Sequence, residues 1–179
     1  MSFRWFTARL VFWPTLAWNV LLGRILRIRP WWSRVNERII IGALPFVSDV
    51  ADMRNEGVAA VVNMCEEYEG PIAAYEASGI VQLRLRTVDF TSPSFADLQQ
   101  GVDFIEKHTQ SHQSVYVHCK AGRGRSATMV LCWLVAKEGM TPEDAFVFLK
   151  QQRPHVCQIA MRPVVYEFQE PKSPDAAAK

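Results

Sequence analysis

A cysteine and an arginine six positions apart, Cys119 and Arg125, mark the segment of this chain that is best suited to chemistry. An apolar strand pattern, Val115–Val117, precedes them, and an apolar helix pattern, Ala127–Glu138, follows. A tight turn between a strand and a helix directs backbone N–H groups and the positive end of the helix dipole at one point, which suits a phosphate group. The same field lowers the pKa of the cysteine, so that its thiolate is a nucleophile near neutral pH. The spacing therefore predicts phosphate chemistry with Cys119 as the attacking group.

The other residues of this turn fit the same task. Gly122 and Gly124 are expected to adopt positive φ and to let the backbone approach an anion. Arg125 is expected to bridge two phosphate oxygens with its planar guanidinium and to tighten its hold in the transition state. Ser126 is expected to donate its hydroxyl to the sulfur when the thiolate leaves. The remaining turn residues are candidates for substrate binding: His118, which would fix the loop by hydrogen bonding, and Lys120, Ala121 and Arg123.

The turn also resembles a known signature. His118-Cys119, five residues, then Arg125-Ser126 is similar to the signature of the cysteine-based protein tyrosine phosphatases, in their compact dual-specificity branch. The resemblance implies a general acid on a loop upstream of the nucleophile, and Asp89 follows a predicted strand. It would protonate the leaving oxygen and then activate water in the second step. The structural alternatives are a turn-forming Asp89 and a buried, unreactive Cys119. A nucleotide-binding P-loop is excluded, since the chain has no GxxxxGK[ST] spacing.

Five segments carry a second, narrower resemblance: Trp31-Trp32, Ile41–Pro45, Glu66–Glu69, Leu83–Asp89 and Cys119–Met129. They look like the mitochondrial phosphatidylglycerophosphate phosphatases, over roughly residues 31–170. This resemblance implies conversion of phosphatidylglycerophosphate to phosphatidylglycerol, a step toward cardiolipin, at the matrix face of the mitochondrial inner membrane. It also implies that the acidic loop lines the site, so Glu67 and Tyr68 are candidates for positioning the substrate.

Two features support an anionic phospholipid substrate independently. Lys120 and Arg123 add two cations to the phosphate cradle, which suits a substrate with a second phosphate nearby. A basic, Trp-rich front end suits an enzyme that works at a membrane surface. Two other functions stay open: a dual-specificity phosphatase acting on phosphoproteins or phosphoinositides, and a non-catalytic phosphate-binding adaptor at membranes. The four cysteines show no CxxC pairing, which argues against a disulfide framework or a structural zinc site. No cofactor, metal or nucleic-acid partner is expected.

The front end is a different kind of sequence from the rest. Residues 1–36 hold six arginines, five of the six tryptophans and no acidic residue, although the net charge of the whole chain is only +2. The apolar stretch Leu10–Gly23 is shorter than the ~20 residues that a membrane-spanning helix needs. We expect residues 1–30 to form an apolar, basic helix that serves as a mitochondrial targeting segment or lies in a membrane interface. A buried N-terminal helix is the third alternative.

Strands and helices alternate through the rest of the chain. Apolar or alternating runs predict strands at Ile39–Ile41, Val58–Met64, Ile80–Leu85 and Val115–Val117. Helices are predicted after the cap residues Ser94 and Thr141, over Ala127–Glu138 and over Pro163–Gln169. This order predicts an α/β fold with a central, mostly parallel sheet of four to five strands flanked by helices, and the family resemblance implies its cysteine-phosphatase form. We expect one phosphatase domain over residues 31–170 and a disordered tail over residues 171–179.

Overall fold

The computed structural model describes residues 3–169 of the chain, with side chains from residue 11 onward. Within that range the strands are β1 (Trp32–Arg34), β2 (Ile39–Gly42), β3 (Val58–Cys65), β4 (Val81–Thr87) and β5 (Ser114–His118). The α-helices are α1 (Phe3–Val20), α2 (Val50–Asn55), α3 (Ile72–Ala77), α4 (Phe95–Gln110), α5 (Arg125–Glu138), α6 (Pro142–Gln152) and α7 (Pro163–Tyr166). A π-helical turn covers Leu21–Ile25, and 3₁₀ turns cover Val47–Asp49 and Gln158–Ala160.

The strands form one sheet in the order β1-β2-β5-β3-β4. The short edge strand β1 is antiparallel to β2, and the other neighbouring pairs are parallel. The predicted α/β fold with a mostly parallel sheet is therefore confirmed. In such a sheet the carboxyl ends of the parallel strands lie at one edge, where α/β proteins bind their ligands. The segments that follow β2, β3, β4 and β5 meet at this edge.

Side chains alternate between the two faces of the sheet, and a different set of helices covers each face. Ile39 and Ile41 belong to the larger core, which includes residues of α4, α5 and α6. Ile40 points to the smaller core with residues of α2 and α3. Strands buried on both faces appear in a sequence as continuous apolar runs. This explains why the run Ile39–Ile41 predicted a strand correctly.

The sequence patterns do not predict β1, α2 or α3. β1 has 3 residues, and α2 and α3 have 6 each, so none of them is long enough to show a hydrophobic period. β4 runs over Val81–Thr87 rather than Ile80–Leu85, which brings the end of the strand closer to Asp89. Helix α7 ends at Tyr166 rather than at Gln169.

The N-terminal helix α1 packs on the rest of the domain. Phe12 and Leu16 are buried in a cluster with Leu44, which agrees with the alternative of a buried N-terminal helix. Trp13 and Trp18 on the same helix are exposed. Among residues 3–169, no helix is both long enough and apolar enough to cross a membrane.

The turn after α1 is also attached to the domain. Arg24 forms an ion pair with Asp49, and its guanidinium lies 4.4 Å from the centroid of the Trp31 ring. The expected domain boundary at residue 30 stays a prediction, although contacts cross it. The expected tail over residues 171–179 lies outside the described residues.

Candidate active site

The cysteine loop, residues 119–125, joins the end of β5 to the first residue of α5. Gly122 has a φ of +66°, and a Cβ on it would lie 2.5 Å from the backbone carbonyl of Gly42, so a larger residue does not fit. Gly124 has a φ of −121°, and a Cβ there would meet Ile159 at an ordinary 3.8 Å. The expectation of positive φ is therefore right for Gly122 and wrong for Gly124.

A buried arginine that the sequence patterns do not single out holds this loop. Arg153 is 1% exposed. It donates hydrogen bonds to the carbonyls of Gly122, at 2.8 Å, and Ala121, at 3.3 Å. A third bond, to Ser33 Oγ at 3.1 Å, ties it to the edge strand β1. An isolated arginine at the end of a helix has no spacing that reveals such a role.

The thiol of Cys119 is 4% exposed and is prepared for ionisation. Burial alone would raise the pKa of the thiol, but the positive charge of Arg125 acts in the opposite direction. The Ser126 hydroxyl, with its Oγ 3.3 Å from the sulfur, and the backbone amides of Ser126 and Ala121 also favour the thiolate. Together these groups lower the pKa of Cys119 to about 7. In a substantial fraction of the protein molecules, Cys119 is therefore a nucleophilic thiolate at neutral pH.

Arg125 is buried close to this sulfur and is oriented by groups that follow β3 and β4. Its Nη1 donates to the Thr87 carbonyl at 2.6 Å and to Glu67 Oε2 at 2.9 Å. Its Nη2 lies 3.1 Å from Asp89 Oδ1 as an ion pair. In the described part of the chain, Nη2 makes no hydrogen bond of standard geometry. This donor is therefore available to a phosphate oxygen.

Glu67 and Tyr68 orient other site residues. The side chain of Glu67 is 3% exposed, and while its Oε2 pairs with Arg125, its Oε1 accepts a hydrogen bond from the Asp89 amide at 2.8 Å. Tyr68 donates its hydroxyl to the Pro45 carbonyl at 2.5 Å. Neither side chain lines the cavity described below. The expectation that they contact the substrate is corrected: they hold Arg125, the Asp89 loop and the acidic loop in place.

The acidic loop, Glu66–Glu69, depends on a further residue of β4. Arg84 donates to the carbonyls of Cys65, at 3.2 Å, and Glu66, at 2.9 Å, and to Glu69 Oε1 at 2.9 Å. The alternating pattern of β4 marks Arg84 as part of a polar face. It does not reveal which segment Arg84 binds, because the acidic loop follows a different strand.

Asp89 faces two cations. Its Oδ1 is paired with Arg125, and its Oδ2 forms an ion pair with Lys120, whose side chain is 8% exposed. Lys120 also donates to the Thr15 hydroxyl of α1 at 2.8 Å. Lys120 lines the cavity, and its charge also holds Asp89 and links the cysteine loop to α1, while its expected role in binding substrate stays a prediction. Phe90, the next residue, has a φ of +65°, a strained conformation that is typical of functional loops.

His118 is fully buried at the end of β5. Its ring packs against Tyr116 and Tyr68, with centroid distances of 5.8 Å and 6.4 Å. Burial lowers the pKa of the imidazole to about 3, so the ring is neutral; a hydrogen bond with the Cys119 backbone acts in the opposite direction and the charge of Arg125 in the same one. Among residues 3–169 neither ring nitrogen has a hydrogen bond of standard geometry. The ring packs beneath the loop, and the expected loop-fixing and substrate-binding roles of His118 stay predictions.

A cavity of about 340 Å³ opens at this edge of the sheet. Its inner end contains Cys119, Arg125 and Asp89, all of which are largely buried. Its mouth contains the exposed side chains of Trp18, Phe90 and Ile159. Of the loop residues expected to bind substrate, Lys120, Ala121, Arg123 and Gly124 line the cavity.

The structure adds wall residues that sequence reasoning missed. The N-terminal segment supplies Thr15, Trp18, Asn19 and Arg29, and the segment after α6 supplies Cys157, Ile159 and Arg162. Asn19 donates to the Lys120 carbonyl at 3.4 Å, so the helix α1 contacts the cysteine loop directly. The unusual composition of the front end signals a special segment. It does not reveal that this segment forms a wall of the site.

The buried groups at the inner end can together carry out phosphoryl transfer. Cys119 supplies a thiolate, Arg125 a donor for a phosphate oxygen, and Asp89 a carboxyl group that can exchange a proton with a leaving or entering oxygen. Helix α5 begins at the loop and adds the positive end of its dipole. The fold and this set of groups define a cysteine-dependent phosphatase.

Comparison with known proteins gives the family. Residues 39–170 match the dual specificity phosphatase catalytic domain, and the chain belongs to this family of phosphatases. An Arabidopsis thaliana protein named phosphatidylglycerophosphate phosphatase PTPMT1 is 41% identical over 156 residues, which is 86% of this chain and 46% of that protein. The chain thus spans about half the length of this relative.

Two further similarities cover more of the related proteins. A Mus musculus protein named phosphatidylglycerophosphatase and protein-tyrosine phosphatase 1 is 39% identical over 83% of this chain and 82% of its own length. The crystal structure of PTPMT1 in complex with PI(5)P is 37% identical, with a TM-score of 0.72 over 77% of this chain and 94% of that one. The resemblance to phosphatidylglycerophosphate phosphatases is therefore confirmed.

Proposed function

We propose that this chain removes the phosphomonoester of phosphatidylglycerophosphate and releases phosphatidylglycerol. The observation that carries the proposal is the composition of one cavity, with a cysteine loop at its inner end, further arginines along its wall and exposed apolar side chains at its mouth. A phospholipid with two phosphates presents matching groups in the same order. The names of the plant and mouse relatives include this activity, and the related crystal structure contains PI(5)P.

In the first step the Cys119 thiolate attacks phosphorus, and the bond from phosphorus to the glycerol oxygen breaks. Arg125 and the amides of the cysteine loop bind the other phosphate oxygens and stabilise the charge of the transition state. Asp89, in its protonated form, donates its proton to the leaving oxygen. Phosphatidylglycerol departs with its released oxygen protonated as a hydroxyl group, and the phosphoryl group stays on the sulfur.

In the second step Asp89, now a carboxylate, takes a proton from a water molecule whose oxygen attacks phosphorus. The bond between phosphorus and sulfur breaks, inorganic phosphate forms and the thiolate is restored. The Ser126 hydroxyl, 3.3 Å from the sulfur, stabilises the departing thiolate by hydrogen bonding. Glu67 keeps Arg125 and Asp89 in the same relative position through both steps.

The surface around the mouth suits a membrane. Trp18, Phe90 and Ile159 are 60%, 66% and 52% exposed. The N-terminal segment adds further exposed apolar side chains, namely Trp13, Ile25, Leu26 and Ile28. Indole rings favour the head-group region of a bilayer, and arginines without neighbouring acids favour anionic lipid. We include in the proposal that the cavity opens onto a membrane surface.

Rates on three substrates test the proposed function. We would measure kcat/KM of the full chain on phosphatidylglycerophosphate and on a phosphoinositide, both in vesicles, and on a phosphotyrosine peptide. We expect the highest value for phosphatidylglycerophosphate. A clear preference for the peptide would overturn the lipid proposal in favour of the second candidate, a protein phosphatase, which the mouse relative's name also includes. A preference for the phosphoinositide would reassign the lipid.

The proposed location is the matrix side of the mitochondrial inner membrane. It is supported by the six arginines, the tryptophans and the absence of acidic residues in residues 1–36. A fluorescent reporter fused to these residues should collect in mitochondria. A matched fusion with all six arginines replaced by Gln should not. A cytosolic or secretory distribution of the first fusion contradicts this location.

A further inference from the structure

Three arginines line the outer part of the cavity: Arg29 after α1, Arg123 in the cysteine loop and Arg162 at the start of α7. They come from distant parts of the chain, and the fold alone brings them together. Within residues 3–169 none of the three forms an ion pair with a carboxylate. This contrasts with Arg125 at the inner end, which has two carboxylate partners.

The protein fixes the position of one of these arginines and leaves a buried donor of another without a partner among the described residues. The Nε of Arg123 donates to the His155 carbonyl at 2.8 Å, which sets the position of this side chain in the cavity wall. The terminal nitrogens of Arg123 make no hydrogen bond to other described residues. The Nε of Arg162 is buried and also has no hydrogen-bond partner among the described residues. A buried donor of this kind needs an acceptor, and an anion in the cavity would supply one.

The charge of the cavity favours an anion. Within the described residues, its lining contains five cationic side chains (Arg29, Lys120, Arg123, Arg125 and Arg162) and a single carboxylate, Asp89. That carboxylate is already paired with Lys120 and Arg125. The pKa of His155, beside this wall, is lowered to about 4 by burial and then by the charges of Arg153, Arg29 and Arg123. The outer part of the cavity therefore has a positive potential that no carboxylate of the described residues neutralises through an ion pair.

We propose that Arg29, Arg123 and Arg162 form a second anion-binding subsite, which holds a phosphodiester of the substrate while the cysteine loop holds the phosphate to be removed. The inference rests on the proposed function and adds a specificity determinant to it. The planar guanidinium matches the oxygens of a phosphodiester. A cavity of about 340 Å³ is in the range that accommodates a small ligand such as a phospholipid head group.

The test uses two water-soluble substrates whose phosphate is attached to the same kind of leaving oxygen, a primary alcohol oxygen of glycerol. Glycerophosphoglycerol phosphate, the head group of phosphatidylglycerophosphate without acyl chains, carries a phosphodiester, and glycerol 3-phosphate does not. We expect the wild-type chain to have a lower KM for the first. Arg29→Gln and Arg162→Gln should each raise that KM roughly tenfold, as expected for losing a hydrogen bond to a charged group. The value of kcat on the head group, and both constants on glycerol 3-phosphate, should stay within about twofold.

Two controls separate binding from folding. Arg86 is exposed and lies outside the cavity, so Arg86→Gln should leave both substrates unaffected. Arg29→Lys keeps the charge and should restore part of the lost affinity, which a purely structural role of Arg29 would not allow. Equal losses on both substrates in the Gln variants, or no loss on either, would overturn the subsite.

The outcomes also separate this inference from the proposed function. If the chain prefers a phosphopeptide to the lipid, yet the Gln variants lose affinity for the soluble head group alone, the lipid proposal fails and the subsite stands. If the lipid remains the best substrate but the Gln variants bind the head group normally, the subsite fails and the proposed function stands.

Discussion

The two ends of the cavity are built in opposite ways. At the inner end, Arg125 faces Glu67 and Asp89, so these buried charges have partners within the protein. At the outer end, Arg29 and Arg162 have no carboxylate partner in the described part of the chain. Paired and hydrogen-bonded charges keep a fixed geometry, as stabilisation of a transition state requires. Unpaired cations are instead ready to bind an incoming anion. The inner end is therefore arranged for reaction and the outer end for recognition.

The largest expected effect comes from Asp89→Asn at the inner end. Asn cannot donate a proton to the leaving glycerol oxygen, so kcat on glycerophosphoglycerol phosphate should fall by about 10²- to 10⁴-fold. p-Nitrophenyl phosphate has a less basic leaving group and should lose less. Steady-state rates on both substrates at one pH measure this difference. An equal loss on both substrates would assign Asp89 a structural role instead.

The pairing of the inner end can be broken by Glu67→Ala. This change leaves the buried guanidinium of Arg125 without its carboxylate and removes the acceptor of the Asp89 amide. Such a loss costs about 3–5 kcal/mol of the free energy of unfolding. Glu69 offers a matched control, because its side chain is 76% exposed in its pair with Arg84, and Glu69→Ala should cost no more than ~1 kcal/mol. Urea unfolding of both variants measures these values, and similar losses would contradict the pairing described for Glu67.

The inner end was largely predictable from the sequence because its central residues are close together in the chain. Cys119, Arg125 and Ser126 lie in one short segment between a strand and a helix, so local geometry alone indicates phosphate chemistry. Asp89 and Glu67 required the family resemblance. Even then, the contact of Glu67 with Arg125 was not foreseen, because the pairing depends on how β3 and β5 lie side by side. The sheet was predictable for a simpler reason, since its buried strands are apolar runs.

The outer end could not be predicted, because isolated arginines have no spacing that indicates a partner. Arg29 and Arg162 are far apart in the chain and meet only in the fold. Lys120 is a second cation whose partners the sequence does not reveal. Its position beside Cys119 suggested a cation of the phosphate cradle, but it did not reveal that Asp89 and Thr15, from distant elements, bind it. Composition indicated an unusual N-terminal segment without revealing which surface it covers.

The pH dependence sharpens the description of the inner end. The thiol must be ionised to attack, so the rising limb of kcat/KM against pH should follow the Cys119 pKa of about 7. Ser126→Ala removes a hydrogen bond that favours the thiolate, which raises this pKa and moves the rise in activity to higher pH. The exposed Ser111 serves as a control, and Ser111→Ala should leave the profile in place. Identical profiles for Ser126→Ala and the wild-type chain would contradict the role of the Ser126 hydroxyl.

The smallest expected effect is that of salt on KM, and it should differ between the two ends of the cavity. Raising the ionic strength from about 0.1 M to about 1 M shortens the Debye length from ~10 Å to ~3 Å and screens the open outer arginines more than the buried inner pairs. KM for glycerophosphoglycerol phosphate should therefore rise a few fold, while kcat changes little. The salt series on glycerol 3-phosphate should give a weaker rise in KM. A matching rise on both substrates would remove the distinction between the ends.

The most direct measurement is to trap the covalent intermediate. The chain is mixed with p-nitrophenyl phosphate, quenched in acid within milliseconds and digested for mass spectrometry. We expect one phosphoryl group on the sulfur of Cys119, and neither phosphoryl group nor turnover in Cys119→Ser, which should still bind the substrate. Phosphate on a different residue, or sustained turnover by Cys119→Ser, would contradict the mechanism. Binding without turnover by the wild-type chain would instead identify a phosphate-binding adaptor.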